Sequence, residues 1–315
     1  MRRRAVFAMM LLPAAAHGQA AWPARPIRIV NPFPAGSPDA MARFVAERLT
    51  PVLGQPVLIE SRSGAGGTIG AEVVAHAPPD GHTLGISSVG PHAVAIATVA
   101  NLRYDPLRDV AHLALLGEFP LAFAVRADAP FADLASFLAA ARAAPESLRV
   151  GTVGTGGIGH ISLDILRRTA GAAVTMAPFR GGTAAAVETM GGRTEAVLAG
   201  LGEVGNQDRL RLLAVTSAAR MPQYPGVPTF REAGIDILAN AWFGVCAPAR
   251  LPEPIAERLS HELRRVAGTE AYARFLAGIG GAPRRDLDRA AMTAFVAEEA
   301  ARWGAAARTG GIRAE

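Results

Sequence analysis

Short apolar runs rich in valine, isoleucine and leucine alternate with segments of helical periodicity along most of the 315-residue chain. Runs of this length are typical of strands that are buried on both faces of a sheet. Their alternation with helices predicts an α/β fold, with parallel or mixed sheets flanked by helices. The predicted strands are Ile27–Val30, Val57–Ile59, Thr83–Ser87, Leu121–Val125, Leu148–Val153, Val174–Pro178 and Leu210–Thr216.

Helices are predicted where apolar residues recur three or four positions apart, because that spacing places them on one helix face. Three such faces are Met41, Phe44, Val45, Leu49 and Val52; Leu134, Phe137, Leu138 and Ala141; and Ile255, Leu259, Leu263 and Val266. A C-terminal amphipathic helix is predicted to pack through Ala294–Val296, Ala301 and Trp303.

In sheets of this kind, ligands bind beyond the carboxyl ends of strands, where loops lead into helix N-termini. Four such loops are dense in glycine and proline. The first loop is Asn31–Asp39, in which two prolines stiffen the approach and Gly36 exposes the backbone. Ser37 is the predicted N-cap of the next helix, with Pro38 at its first position and Asp39 in its first turn.

The other three loops are Gly64–Gly70, which contains Ala65 and Gly66, then Gly154–His160, and Pro178–Thr183. Each presents unhindered N–H groups at a predicted helix start. Because helix N-termini carry partial positive charge, such loops favour anions. Together they predict a site that holds a carboxylate largely through backbone amides. His160 either orients a ligand or stabilises the loop.

Gly154–Gly159 also has the glycine spacing of a dinucleotide-binding fingerprint after a strand. The acidic residue expected about twenty positions later is missing, and Arg180 near that position would suit a 2′-phosphate. An NADP-dependent oxidoreductase therefore remains the alternative function.

Composition excludes several other chemistries. Every basic residue is arginine, so neither a Schiff-base lysine nor a phosphate-loop lysine is available. Cys246 is the only cysteine and is predicted to be a small buried residue. The seven histidines show no metal-ligand spacing, and no G-x-S-x-G elbow occurs. We therefore predict no catalytic residues, no metal and no cofactor.

The N-terminal twenty residues resemble a secretory signal. Arg2–Arg4 form a basic region and Ala5–Ala16 an apolar stretch. Gly18–Ala20 offers a cleavage site with small residues, and Ala16–Gly18 is a second option. Without these three arginines the balance is 29 basic against 27 acidic residues, so the net charge of +5 does not indicate nucleic-acid binding. The sequence predicts an exported, periplasmic protein.

A series of motifs in register makes the chain, from Trp22 to Glu315, resemble the Bug family, the solute receptors of tripartite tricarboxylate transporters. The motifs are Trp22–Val30, Pro32–Gly36, Leu53–Val57, Gly64–Ala71, Pro79–Leu84, Tyr104–Pro106, Gly154–His160, Pro178–Gly181, Leu213–Ser217, Val227–Thr229, Glu232–Gly234 and Trp242–Pro248.

This resemblance implies a two-lobed, type II-like periplasmic binding fold that closes on a small carboxylate or related polar solute, without catalysis. It implies a monomer whose partner is a membrane permease pair or a sensor kinase. Facing loops of the family correspond here to Phe33, Pro34, Ala35, Gly36, Ser37 and Asp39; Thr155, Gly156, Gly157 and His160; and Phe179, Arg180 and Gly181.

The chain departs from the family pattern at three places. The first loop is one residue short before Asp39, Gly157 replaces a usual serine, and Thr194–Leu213 is three or four residues shorter. The predicted lobes are 21–122 with 225–290, and 123–224 with 291–315, after a signal peptide at 1–20. Two chain crossings between lobes would form a hinge.

Overall fold

The computed structural model describes residues 22–34, 36–284 and 287–314, so the predicted signal peptide and Ala35 lie outside the described residues. Its strands pair into one mixed sheet. They are β1 (Ile27–Asn31), β2 (Val57–Ser61), β3 (Thr83–Ser88), β4 (Val110–Arg126), β5 (Arg149–Val153), β6 (Thr175–Phe179), β7 (Ala196–Gly200), β8 (Leu210–Val215), β9 (Asn240–Pro248) and β10 (Ala282–Pro283).

Helices flank this sheet. They are α1 (Ser37–Leu53), α2 (Thr68–Ala75), α3 (Ala95–Thr98), α4 (Leu134–Ala143), α5 (Ile158–Ala170), α6 (Gly182–Met190), α7 (Leu201–Val204), α8 (Glu253–Ala267), α9 (Glu270–Gly278) and α10 (Arg289–Thr309), with a 3-10 turn at Ala65–Gly67 and a π-helical turn at Gly90–Val94.

The sheet consists of two halves that share β4. In the first half, β2, β1 and β3 are parallel, and β9 is antiparallel to both β3 and β4. In the second half, β4 pairs antiparallel with β7 and β8, while β7, β5 and β6 are parallel. The 17-residue β4 therefore runs from one half-sheet into the other.

Thr216 ties the chain crossings together where the two half-sheets meet. Its hydroxyl donates to the Ala239 carbonyl at 2.6 Å and accepts from the Leu121 amide at 2.8 Å. The Thr216 amide donates to the Leu121 carbonyl at 2.9 Å. Because Thr216 is fully buried, these bonds hold the crossing segments side by side in the absence of competing water.

Each half-sheet has its own apolar core. The first core is formed by β1, β3, β9, α1 and α8, and the second by β4, α4, α5 and β7. Phe230, Ile235 and Ile237, which precede β9, belong to the second core. These contacts favour a chain crossing near Asn240 rather than at 225, and the division into lobes stays a proposal.

The seven predicted strands are confirmed with small shifts at their ends, except that β4 begins at Val110, eleven residues before the predicted Leu121. The predicted face of α4 is fully buried, whereas Val52 of α1 is exposed. In α10 the predicted face was wrong at two positions, because Ala294 and Ala301 are exposed. The buried face of α10 is instead Met292, Val296, Glu299, Trp303 and Ala307.

Helix α10 packs against the second core and also against Val89, Ala93 and Val94, which follow β3. Its contacts therefore extend to residues that follow a strand of the first half-sheet, and its assignment to the second lobe stays a prediction. The Glu299 carboxylate accepts hydrogen bonds from the indole N–H groups of Trp242 at 3.1 Å and Trp303 at 2.9 Å. These bonds satisfy a buried carboxylate and attach α10 to β9.

A cluster of buried polar rings lies behind the first half-sheet. His92 and His112 meet with ring centroids 5.4 Å apart, and His92 Nε2 lies 3.8 Å from the Cys246 sulfur. Burial confirms the prediction for Cys246 and raises the pKa of its thiol to about 12. Burial also lowers the pKa of His92 well below its usual range and that of His112 to about 4.

We expect acidification to destabilise the protein through this cluster. A histidine whose folded pKa is depressed contributes stability above its unfolded pKa of about 6.5, and that stability is lost as pH falls toward 4. For His112 alone, moving from pH 7.5 to pH 5 should lower the free energy of unfolding by about 2 kcal/mol. Urea unfolding at both pH values measures this, and His112→Gln should reduce the difference. Equal pH dependence in the two proteins would contradict the assignment.

Candidate functional site

The carboxyl ends of parallel strands carry the predicted loops in both half-sheets. In the first half, the loops after β1 and β2 lie against each other, because a Cβ at Gly67 would stand 3.2 Å from the Phe33 ring. The Phe33 ring also meets Phe243 edge-to-face, with centroids 5.7 Å apart. The first two loops therefore form one continuous surface.

Asn31 and Asp39 brace the first loop. The Asn31 side chain accepts from the Phe33 amide at 3.1 Å and donates to the Asp39 carboxylate at 3.2 Å. Arg43 donates to the same carboxylate at 2.7 Å. Asp39 thus has partners within the chain and shapes the loop, and a direct ligand contact from it stays a prediction.

Ser37 is the first residue of α1, so its prediction as N-cap was wrong. Gly36 precedes the helix with φ of 157° and no side-chain cap. Pro38 is the second helical residue rather than the first, and Asp39 lies in the first turn as predicted. The Ser37 hydroxyl instead lies 3.5 Å from the Ile279 carbonyl. Pro34 and Gly36 are exposed.

In the second loop, Ala65 and Gly66 are exposed at the 3-10 turn that leads into α2. Ala65 has φ of 46° and Gly66 has φ of 64°, and the left-handed region is uncommon for a residue other than glycine. Among the described residues, no carbonyl accepts a hydrogen bond from either amide. These two N–H groups remain available at a helix start.

The third loop joins β5 to α5, and His160 stabilises its backbone. The Gly156 amide donates to His160 Nδ1 at 3.0 Å, so the proton of the neutral ring is on Nε2. Partial burial lowers the pKa of His160, and Arg167 acts in the same direction while Asp164 opposes it. The Gly156 amide is therefore already bonded within the loop, although it was predicted to face a ligand. In contrast, no described carbonyl accepts a hydrogen bond from the amides of Thr155 or Gly157.

The C-terminal segment covers the third loop at Gly156. A Cβ at Gly156, which has φ of 75°, would lie 2.8 Å from the Ala314 Cα. The Ala314 amide donates to the Thr98 carbonyl at 3.0 Å, which links the segment to α3 after the first half-sheet. The C-terminal residues therefore contact both α3, which follows β3, and the third loop, which follows β5.

The fourth loop, after β6, lies beside the third, because the Gly154 amide donates to the Phe179 carbonyl at 2.9 Å. Phe179 and Gly181 are partly buried. Arg180 is exposed and forms no hydrogen bond or ion pair with another described residue. It is thus a free cation at the start of α6.

Two features of the site were not predicted, and both lie in α7. Gly202 meets Gly280 backbone to backbone, and a Cβ on either residue would collide with the other segment. Glu203 lies over the start of α6, where its carboxylate accepts from the Gly200 amide at 3.0 Å and from the Gly182 amide. No local sequence pattern signals either contact, because each depends on how the two half-sheets meet.

These contacts connect loops from both halves of the molecule. Ser37, at the start of α1, reaches Ile279, and the Ile279–Gly280 backbone touches Gly202 beside the start of α6. Helix starts following β1, β6 and β7 therefore converge on one region. The structure brings most of the predicted site residues into this region or beside it, although no contact links the first loop directly to the third.

Among residues 22–34, 36–284 and 287–314, no group of three metal-ligating side chains is close enough to hold an ion. Within the same residues, no helix has the length and hydropathy of a membrane span. A surface depression of about 160 Å³ lies between Thr68 and Tyr104, and another of about 290 Å³ beside Arg167. The first touches the second predicted loop at Thr68, and the other lies outside the predicted loops.

Comparison with known proteins decides the family. A sequence profile described as the tripartite tricarboxylate transporter family receptor matches residues 41–312. The chain belongs to this receptor family. Protein BugT of Bordetella pertussis is 32% identical over 301 residues, which cover 93% of this chain and 91% of BugT. A protein of Agrobacterium vitis is 33% identical over 278 residues, covering 87% and 80%.

Solved structures agree with this family assignment. An R. palustris protein with adipate has a TM-score of 0.85 at 30% identity, covering 93% of this chain and all of that chain. MatC of Rhodopseudomonas palustris with bound malate has a TM-score of 0.81 at 31% identity, covering 90% and 99%. The receptor has the two-lobed periplasmic binding fold predicted from its sequence, and the family match does not support an NADP-dependent oxidoreductase.

Gly202→Ala should separate the two segments that meet at Gly280, because the new methyl group would overlap the Ile279 carbonyl. Overpacking of this kind costs about 1–3 kcal/mol, measured as a lower free energy of unfolding in urea. Gly278→Ala is the matched control, since nothing lies within 4 Å of a Cβ there. Equal stability of the two variants would show that the glycine contact is not tight.

Proposed function

We propose that this receptor is exported and captures a small carboxylate between its two lobes, for uptake or for sensing, without catalysing a reaction. The observation that carries the proposal is the convergence of helix starts from both half-sheets at the Ser37–Ile279–Gly202 contact. Positive helix ends that face one region favour an anion there.

The proposed ligand contacts are the predicted residues whose polar groups have no partner among the described residues. The amides of Ser37, Ala65, Thr155 and Gly157 supply neutral hydrogen-bond donors. Arg180 supplies a full positive charge that is exposed and unpaired. Backbone donors suit a carboxylate because charge-assisted hydrogen bonds are roughly twice as strong as neutral ones.

Two relatives support the ligand class. The R. palustris protein with adipate and MatC with malate share the fold at 30% and 31% identity, and both bound molecules are small carboxylates. After capture, the closed lobes would dock on a membrane permease pair or on a sensor kinase, because both partners would recognise the same closed surface. Periplasmic export would proceed through the N-terminal signal, which lies outside the described residues.

A thermal-shift screen of small carboxylates tests the ligand class. A ligand at a hundred times its Kd should add about 2.7 kcal/mol to the free energy of unfolding, which produces a clear rise in Tm. Sugars and inorganic cations serve as the comparison panel. Stabilisation by sugars or cations, with none by any acid, would reject the proposal.

Gly157→Asp tests the location of the site. Gly157 has φ of −88°, which any residue adopts, and the nearest atom to a Cβ there is the Val153 carbonyl oxygen at 3.4 Å. An added carboxylate should repel a bound carboxylate. Calorimetry should therefore show an affinity for the carboxylate ligand that is at least tenfold weaker. Gly226→Asp adds the same charge at an exposed position with no neighbour within 4 Å, and its affinity should be unchanged. Equal affinities of the two variants would place the site elsewhere.

A further inference from the structure

The start of α6 already holds a carboxylate that belongs to the chain itself. Glu203 Oε2 lies 3.0 Å from the Gly200 amide nitrogen, and the same carboxylate accepts from the Gly182 amide. A Cβ at Gly182 would overlap this carboxylate, so only glycine leaves room for it. Glu203 therefore occupies the position that a ligand carboxylate would take on α6.

Two helix starts share this side chain. Gly200 precedes α7 and Gly182 is the first residue of α6, and the partial positive charge at the start of the nine-residue α6 is directed at Glu203. The described part of the chain shows no ion pair between Glu203 and an arginine. Its two backbone partners leave further lone pairs on the carboxylate, which can accept hydrogen bonds from another donor.

The surroundings of Glu203 oppose a second negative charge. Glu203 is partly buried, and burial raises the pKa of its carboxyl group above the usual range. Two carboxylates sharing such a position cannot both ionise without a large cost. Arg180 lies in the loop that leads into α6, whereas Glu203 lies in α7, so this cation and this carboxylate belong to different segments.

We infer that Glu203 determines specificity at the α6 end of the proposed site: it excludes a second ligand carboxylate there and accepts a hydrogen bond from an uncharged donor. This inference rests on the proposed function. The substrate class is a small molecule with a carboxylate at one end and a neutral donor, such as an amide or a hydroxyl group, at the other. The ligand carboxylate would then lie on the amides of the first and third loops.

Matched pairs of ligands test this inference. Succinate, glutarate and adipate would each be compared with the corresponding monoamide, which has the same length but one carboxylate. In the wild-type receptor, calorimetry should show the best-fitting monoamide binding at least tenfold more tightly than its diacid. Equal affinities within every pair, or tighter binding of the diacids, would overturn the inference.

Glu203→Ala frees the Gly182 and Gly200 amides, so diacid affinity should rise at least tenfold and the preference for the monoamide should disappear. Glu188→Ala is the matched control: it removes a carboxylate from the last turn of α6, where Glu188 pairs with Arg193. That variant should keep the wild-type preference. An unchanged preference in Glu203→Ala would also overturn the inference.

The wild-type measurement does not depend on whether Glu203→Ala folds, so it decides the question even if that variant is unstable. If the acids bind but show no difference between diacid and monoamide, only the role of Glu203 fails. If no acid of either kind binds to any of the three proteins, the proposed function itself fails and this inference with it.

Discussion

Strand β4 constrains the rest of the molecule, because residues 110–120 pair in one half-sheet and residues 121–126 in the other. A strand that is hydrogen-bonded along both edges cannot slide without breaking its register. The Thr216 hydroxyl adds cross-links to Leu121 and Ala239 at the crossing. The two halves can therefore change their relative orientation only by bending near this point, which is the motion expected of a hinged receptor.

The same topology decides where a ligand can lie. Parallel strands place their carboxyl ends at one edge, so the loops after β1 and β2 gather in one half and those after β5, β6 and β7 in the other. The proposed recognition by backbone amides follows from the composition of these loops, in which glycine predominates and Arg180 is the one arginine among the predicted contacts. Such a site would select charge and shape with few side chains.

The sequence predicted much of this fold because strand burial and helix periodicity are local properties. It missed β7, β9, the two-residue β10 and the first part of β4. The residues of β7 and β9 include alanine and glycine, and their partners lie far along the chain. The sequence also identified the glycine loops, but it did not predict which amides are already hydrogen-bonded within the chain. The Gly156 N–H donates to His160, and the Gly182 N–H donates to Glu203. Those assignments depend on tertiary contacts that no local pattern records.

Helix α7 carries both a backbone contact with Gly280 and the carboxylate that lies at the start of α6. Gly202 forms the backbone contact with Gly280, and the next residue places its carboxylate on the start of α6. Under the proposal above, a ligand group that meets Glu203 lies next to the Gly202–Gly280 contact, because Glu203 and Gly202 are adjacent in α7. Ligand choice and closure would then be coupled through two adjacent residues if the contact differs between the open and closed forms.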